Sequence, residues 1–309
     1  MAKRTAVIDI GSNSMRMAVF EKSSRFAFHI IHEVKSSVRL SEHAYSNDGN
    51  LQPIAMDRTA SALGEFLSIA HSFNARKIFC VATSALRDAP NKQDFLHRIK
   101  QQYKLSIKVI DGSKEAFLGG LACANLLPKS EAISVDIGGG STEFSLVKDG
   151  KVELRLSLNI GTVRIKELYL DKNDITGAKK YIDATLQQLP SFSTNHLVGI
   201  GGTFRALSRG LMKKSDYPLK KLHGFSTDAP FFLKYMEQIL EASDKKLRSL
   251  HIKPDRFDTI KPGTLILERI VHHLKIKQMT CSGAGVREGV FLEDLLRNSN
   301  FAFPKNYNP

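Results

Sequence analysis

The chain repeats itself. AVIDIGSNSMRMAVF, ending at Phe20, returns as ISVDIGGGSTEFSLV, ending at Val147, so that Asp9 falls on Asp136 and Gly11 on Gly138. In each copy a short apolar run ends in an Asp, turns through Gly and Ser, and resumes as an alternating run. That is the pattern of a β-hairpin with a carboxylate at its bend. Two such hairpins predict two related domains, and 309 residues are enough to build two cores.

Around the hairpins the patterning predicts further strands near 26–34, 77–82, 107–110, 152–158, 197–200 and 277–281. Helices are expected over 54–73, 94–103, 114–127, 162–170, 175–189, 204–212 and 263–274, with a last one over 286–297. Strands that alternate with helices give a mixed α/β fold. Pro128 closes the helix over 114–127 just before the second hairpin, which places the domain border beside it. The expected division is 1–127 for domain I and 128–297 for domain II, with residues from about 298 to 309 rejoining the first and the helix over 286–297 leading back. The stretch 213–225 mixes charges with Pro218 and Gly224 and reads as a mobile loop beside the site.

The repeated Asp, more than the glycines, points to chemistry. A carboxylate beside a turn with outward backbone amides can hold a cation and the phosphates it bridges. Asp9 with Gly11 to Ser14, and Asp136 with Gly138, Gly139, Gly140, Ser141 and Thr142, are therefore read as two phosphate loops. A pair of plain tight hairpins would explain the glycines but not the repeated Asp or the hydroxyls of Ser14 and Ser141. Two more glycine turns feed helices: Gly199, Gly201, Gly202 and Thr203 before Arg205, and Gly283 and Gly285 before Arg287. Neither has the spacing of a P-loop or of a dinucleotide fingerprint.

Phosphoryl transfer to water needs a cation, donors for the developing charge and a carboxylate that orients the water. Glu143 and Glu115 each qualify for the last role, and Arg87 and Arg164 are candidate phosphate ligands. Forty-five Lys and Arg against 31 Asp and Glu leave a net charge of +14, which suits a polyanionic partner. Other chemistries lack support. The ten histidines show no metal-site spacing, no GxSxG elbow is present, and nucleic-acid motifs are absent. Cys80, Cys123 and Cys281 sit apart in apolar runs and read as reduced core residues. The apolar run before Gly11 is too short for a signal peptide or a membrane span, so the cytoplasm is expected, with no membrane partner.

DIGSNSMRM, ATSALRDA, VDIGGGSTEF, GIGGTFRAL and SGAGVREGV occur in the order found in the exopolyphosphatase and guanosine pentaphosphate phosphatase family, and the resemblance runs from Val7 to about Leu296. It implies an actin-like ATPase fold (the acetate and sugar kinase, chaperone and actin class) with two ribonuclease-H-like domains around a deep cleft. It also implies Mg2+ as cofactor and release of phosphate from polyphosphate or guanosine pentaphosphate. By the same resemblance Glu115 and Glu143 are catalytic, with Glu143 activating the water. Asp136, Asp9 and Glu143 stand on the metal side, and Asn13, Ser14, Arg87 and Gly138 contact phosphate. The chain ends without the C-terminal extension of the longer branch and so resembles the short two-domain branch. A homodimer is expected by that analogy alone. Two further readings keep the fold: a phosphotransferase to a small acceptor, and a non-catalytic sensor of alarmones or polyphosphate.

Overall fold

Both hairpins form in the computed structural model, which describes residues 3–24, 27–128 and 131–298. The first part of the chain gives β1 (Lys3–Ile10), β2 (Met15–Lys22), β3 (Phe28–Ser36), α1 (Pro53–Ser72), β4 (Lys77–Ala82), α2 (Ser84–Arg87), α3 (Lys92–Tyr103), β5 (Lys108–Val109) and α4 (Gly112–Leu126). The second gives β6 (Glu131–Ile137), β7 (Thr142–Lys148), β8 (Lys151–Leu158), α5 (Thr162–Leu168), α6 (Ile175–Leu186), β9 (His196–Ile200), α7 (Gly201–Lys214) and β10 (Ser226–Asp228). It continues with α8 (Ala229–Glu241), α9 (Asp244–Ser249), α10 (Phe257–His273), β11 (Gln278–Cys281) and α11 (Val286–Asn298).

The repeat extends well past the hairpins. One sheet has the order β3-β2-β1-β4-β5, and the other has β8-β7-β6-β9-β11 with β10 added at the edge. In each, the first three strands form an antiparallel meander and the fourth lies parallel to the first. The fifth is parallel to the fourth. The sequence echo is thus the visible part of a duplicated sheet topology.

The chain packs as two units: residues through Leu118 with those from Val286, and Gly119–Gly285. This differs from the expected border at Pro128 and from the assignment of 128–297 to the second domain. The division falls inside α4, because Leu118 packs with Val7, Phe20, Val290 and Phe291 whereas Cys123 and Leu127 pack with Ala132, Val198 and Ile200. Phe291 of α11 stacks on Phe20 with ring centroids 4.4 Å apart, which fixes that helix to the first unit. Residues 299–309, expected to rejoin domain I, lie outside the described residues.

Strand parity explains where the two carboxylates point. Ala6, Ile8 and Ile10 of β1 enter the larger core of the first unit, while Val7 enters the smaller one on the opposite face. Asp9 shares the parity of Val7. In the second unit Ile133, Val135 and Ile137 enter the large core, and Ala132 lies on the opposite face, whose parity Asp136 shares.

Several elements depart from expectation. α7 begins at Gly201 and α10 at Phe257, with Pro262 inside it, and α8 and α9 are additional. The stretch read as a mobile loop contains the end of α7 and a 3-10 turn over Leu219–Lys221. All three cysteines are buried and outside any disulfide. Among the described residues no helix is long and apolar enough to cross a membrane.

Candidate functional site

The second hairpin turns through Gly138–Ser141, closed by a bond from the Gly138 N–H to the Ser141 carbonyl at 2.9 Å. Its other carbonyls are engaged by the start of α5. Thr162 N–H donates to Gly138 O at 3.0 Å, while Val163 and Arg164 N–H donate to Gly139 O at 2.8 and 3.2 Å. Arg164 Nε donates to Gly140 O at 2.9 Å. This approach is close enough that a Cβ on Gly161 would overlap the Gly139 carbonyl. Peptide planes are trans here, so C=O and the following N–H leave opposite sides of the chain. With three carbonyls turned toward α5, the N–H groups of Gly139, Gly140 and Ser141 are turned the other way, as a concave anion-binding turn requires.

Asp136 and Glu143 border this turn. They are cross-strand partners in the β6–β7 register. Glu143 is 3% exposed and its Oε1 accepts from Ser141 Oγ at 2.5 Å and Ser157 Oγ at 2.8 Å, which fixes the carboxylate's orientation. Gly201 has φ +81° and stands against Asp136, where a Cβ would overlap Oδ1. Only glycine combines that left-handed backbone with that approach. The expected phosphate residues Gly201, Gly202 and Thr203 thus begin α7 beside the Asp136 carboxylate.

One residue escaped sequence reasoning. The Arg256 guanidinium lies against Gly202, where a Cβ would come within 2.5 Å of Nη2. Burial lowers the Arg256 pKa from its usual value; Asp255 opposes that shift and Arg205 adds to it. A desolvated guanidinium with further arginines nearby, at a helix N-terminus, favours an anion. No motif surrounds Arg256 in the sequence, and only the packing of α10 against α7 reveals it. Arg164, expected to contact phosphate, uses its Nε to brace the turn.

The first unit builds its turn by the same rule. Gly11 N–H bonds Ser14 O at 3.3 Å, while Ser41 N–H donates to Ser12 O and Arg39 N–H to Asn13 O, both at 3.0 Å. The N–H groups of Asn13 and Ser14 therefore leave the opposite side. Ser12 and Ser84 hydroxyls, 3.2 Å apart, tie the turn to α2. At the end of α2, Arg87 Nη1 donates to Glu115 Oε2 at 2.8 Å and to Ile110 O at 3.2 Å. The expected phosphate ligand and one of the two expected bases are thus ion-paired with each other.

The donor chemistry fits magnesium. Asp136 and Glu143 offer hard oxygen atoms, and the room that Gly201 leaves beside Asp136 is space a side chain would otherwise fill. Among the described residues no cluster of three or more His, Cys, Asp or Glu could hold a metal.

A profile described as the Ppx/GppA phosphatase family matches residues 18–298. A bifunctional 3-dehydroquinate synthase/phosphatase of Fusobacterium nucleatum is 31% identical over 87% of this chain, which spans 43% of that relative's length. Exopolyphosphatase 2 of Mycobacterium tuberculosis is 26% identical, with 94% of this chain and 98% of the relative covered. Among solved structures, the Aquifex aeolicus member of the Ppx/GppA family superposes with a TM-score of 0.81 at 27% identity, covering 97% of this chain and all of that one. With the duplicated sheet order, the fold is the actin-like ATPase fold.

Proposed function

This chain belongs to the Ppx/GppA phosphatase family, and on that premise we propose that it hydrolyses the terminal phosphate of inorganic polyphosphate or guanosine pentaphosphate in a magnesium-dependent reaction. The observation that carries the reading is the Gly138–Ser141 turn, with its carbonyls engaged by α5 and its amides turned away beside two carboxylates.

In this reading the N–H groups of Gly139, Gly140 and Ser141 donate to phosphate oxygens, and Arg256 with the start of α7 holds the neighbouring phosphate. Asp136 and Glu143 are the cation-side carboxylates in the second unit. Magnesium, when bound, neutralises charge on the phosphate oxygens. Glu143, held by two hydroxyls, orients the attacking water and accepts its proton. Such a carboxylate has little covalent work to do, since phosphoryl transfer depends mainly on positioning and charge stabilisation. Asp9, Asn13, Ser14, Arg87 and Glu115 keep their proposed roles through the matching turn of the first unit.

The exopolyphosphatases among the relatives support polyphosphate as substrate, and the excess of basic residues suits a polyanion. Three buried thiols outside any disulfide fit a reducing cytoplasm. The test is phosphate release by the purified protein from long polyphosphate and from guanosine pentaphosphate, with magnesium and with a chelator. Magnesium-dependent release from either substrate supports the proposal, and the faster one names the preference. No release from both would sink it.

A further inference from the structure

The glycine turn that follows β11 has no part in the hydrolytic reading. Its residues, 282–285, lie wholly in the second unit. A Cβ on Gly285 would come within 2.9 Å of the Ile200 side chain and 4.0 Å of Asp136 Oδ2. Gly201 approaches the same carboxylate at Oδ1, so two glycine turns flank its two oxygen atoms. The place of the second turn therefore sets the room beside Oδ2.

That turn is clamped through the Gly283 peptide. His223 Nδ1 accepts the Gly283 N–H at 3.0 Å, and Arg205 Nη1 donates to the Gly283 carbonyl at 3.0 Å. Ser282 N–H donates to Gly199 O at 2.8 Å, which ties the start of the turn to β9. His223 lies at the surface, yet its second nitrogen is engaged as well, with Nε2 2.7 Å from the Leu126 carbonyl at the end of α4. A carbonyl only accepts, so Nε2 carries the ring proton, while Nδ1, facing an N–H, carries none. One tautomer of the neutral ring satisfies both partners, and an imidazolium cannot, because both its nitrogens are donors. Backbone pairing brings the ring here: Gly224 N–H donates to Cys281 O at 2.9 Å and Cys281 N–H to Phe225 O at 2.8 Å. Glycine at 283 permits the approach, since a Cβ there would stand 3.2 Å from His223 Cβ.

We propose that His223 is a positioning residue for the cation. As the neutral ring protonated at Nε2, it holds the 282–285 turn beside Asp136 and so keeps that carboxylate accessible to magnesium and phosphate. The proposal rests on the reading of Asp136 as a cation-side carboxylate. His223 acts through the turn and touches neither cation nor substrate. Loss of the Nδ1 bond leaves the Gly283 N–H to water and frees the turn to shift against Oδ2.

The experiment is calorimetric titration of magnesium into the full chain in the presence of inorganic phosphate, which cannot turn over. His223→Asn places an acceptor where Nδ1 stands, His223→Gln places a donor where Nε2 stands, and His223→Ala supplies neither. One hydrogen bond corresponds to a factor of roughly three to ten in affinity. The magnesium Kd should rise by that factor in the Ala and Gln variants and stay within about twofold of the parent in the Asn variant. The melting temperature should fall in the Asn variant too, because it loses the Leu126 bond. In histidine-labelled protein at pH 8, nitrogen NMR should show the His223 ring protonated at Nε2 and bare at Nδ1. Affinity that merely follows melting temperature across the variants, an unchanged Kd in all three, no magnesium binding by the parent, or a proton on Nδ1 would overturn the proposal. The expected order of affinities in a protein that releases no phosphate from any substrate would uphold the role of His223 while removing the hydrolytic reading. Phosphate release by the parent, with equal magnesium affinity in all three variants, would do the reverse.

Discussion

Asp136 and Glu143 face one another as a cross-strand pair in the antiparallel register of β6 and β7. Two carboxylates so placed repel unless opposite charge or hydrogen-bond donors offset it. The Ser141 and Ser157 hydroxyls donate to Glu143 Oε1, and a divalent cation beside both carboxylates would offset the charge further. Magnesium should therefore stabilise the folded protein. At a concentration one hundred times its Kd, a ligand that binds only the native state adds about 2.7 kcal/mol. A thermal melt should show this rise for the parent and little of it for Asp136→Asn. An equal rise in both would place the cation elsewhere.

Gly201→Ala should be more damaging than most glycine substitutions. The backbone there is left-handed, which disfavours an L residue by about 1 to 2 kcal/mol, and the new methyl would overlap Asp136 Oδ1. Urea denaturation should report a loss of at least that size, together with reduced activity. Full stability with full activity would mean that Asp136 and the start of α7 move apart freely.

Arg87→Ala removes the partner of Glu115, whose side chain is 9% exposed. Charge-assisted hydrogen bonds contribute about 1.5 to 3 kcal/mol, so the variant should unfold at lower urea, and a double cycle with Glu115→Gln should show coupling between the two. Additive effects would mean that the pair is incidental.

The sequence was informative where side chains carry the structure. Asp9, Asp136, the glycine turns and the alternation of β1, β2, β6 and β7 announce both hairpins, and the apolar spacing of α1, α3 and α6 announces those helices. The bracing of the turns by Thr162, Val163, Ser41 and Arg39 was invisible, because backbone N–H groups make those bonds and any residue but proline supplies one. Arg256 was invisible for a related reason, since its position depends on how α10 packs against α7. The border at Pro128 was misplaced because a proline marks where a helix stops, whereas the unit boundary depends on which side chains of α4 meet which core. α8 did carry its start signal, Asp228 capping the Phe231 N–H at 2.7 Å with Pro230 in the first turn.

Burial raises the Cys281 pKa from 9.0 to about 11 and the Cys123 pKa to about 12. A raised thiol pKa favours the folded state while the thiol is neutral. That contribution is whole below about pH 9 and is lost as pH rises toward the folded-state values. Unfolding free energy measured from pH 8 to 11 should fall, and less steeply for Cys281→Ala. At pH 8 a thiol reagent should label the native protein slowly and the unfolded protein fully. Rapid native labelling would contradict the burial of these groups.

The central claim is that Glu143 orients water at the Gly138–Ser141 turn. Loss of a general base typically lowers the rate by about 10² to 10⁴. The decisive measurement is phosphate release by Glu143→Gln beside the parent, with substrate binding and melting temperature followed in the same preparations. A rate fall of that size with binding and melting temperature retained is the predicted result. Unchanged release would contradict the assignment and move the base to Glu115.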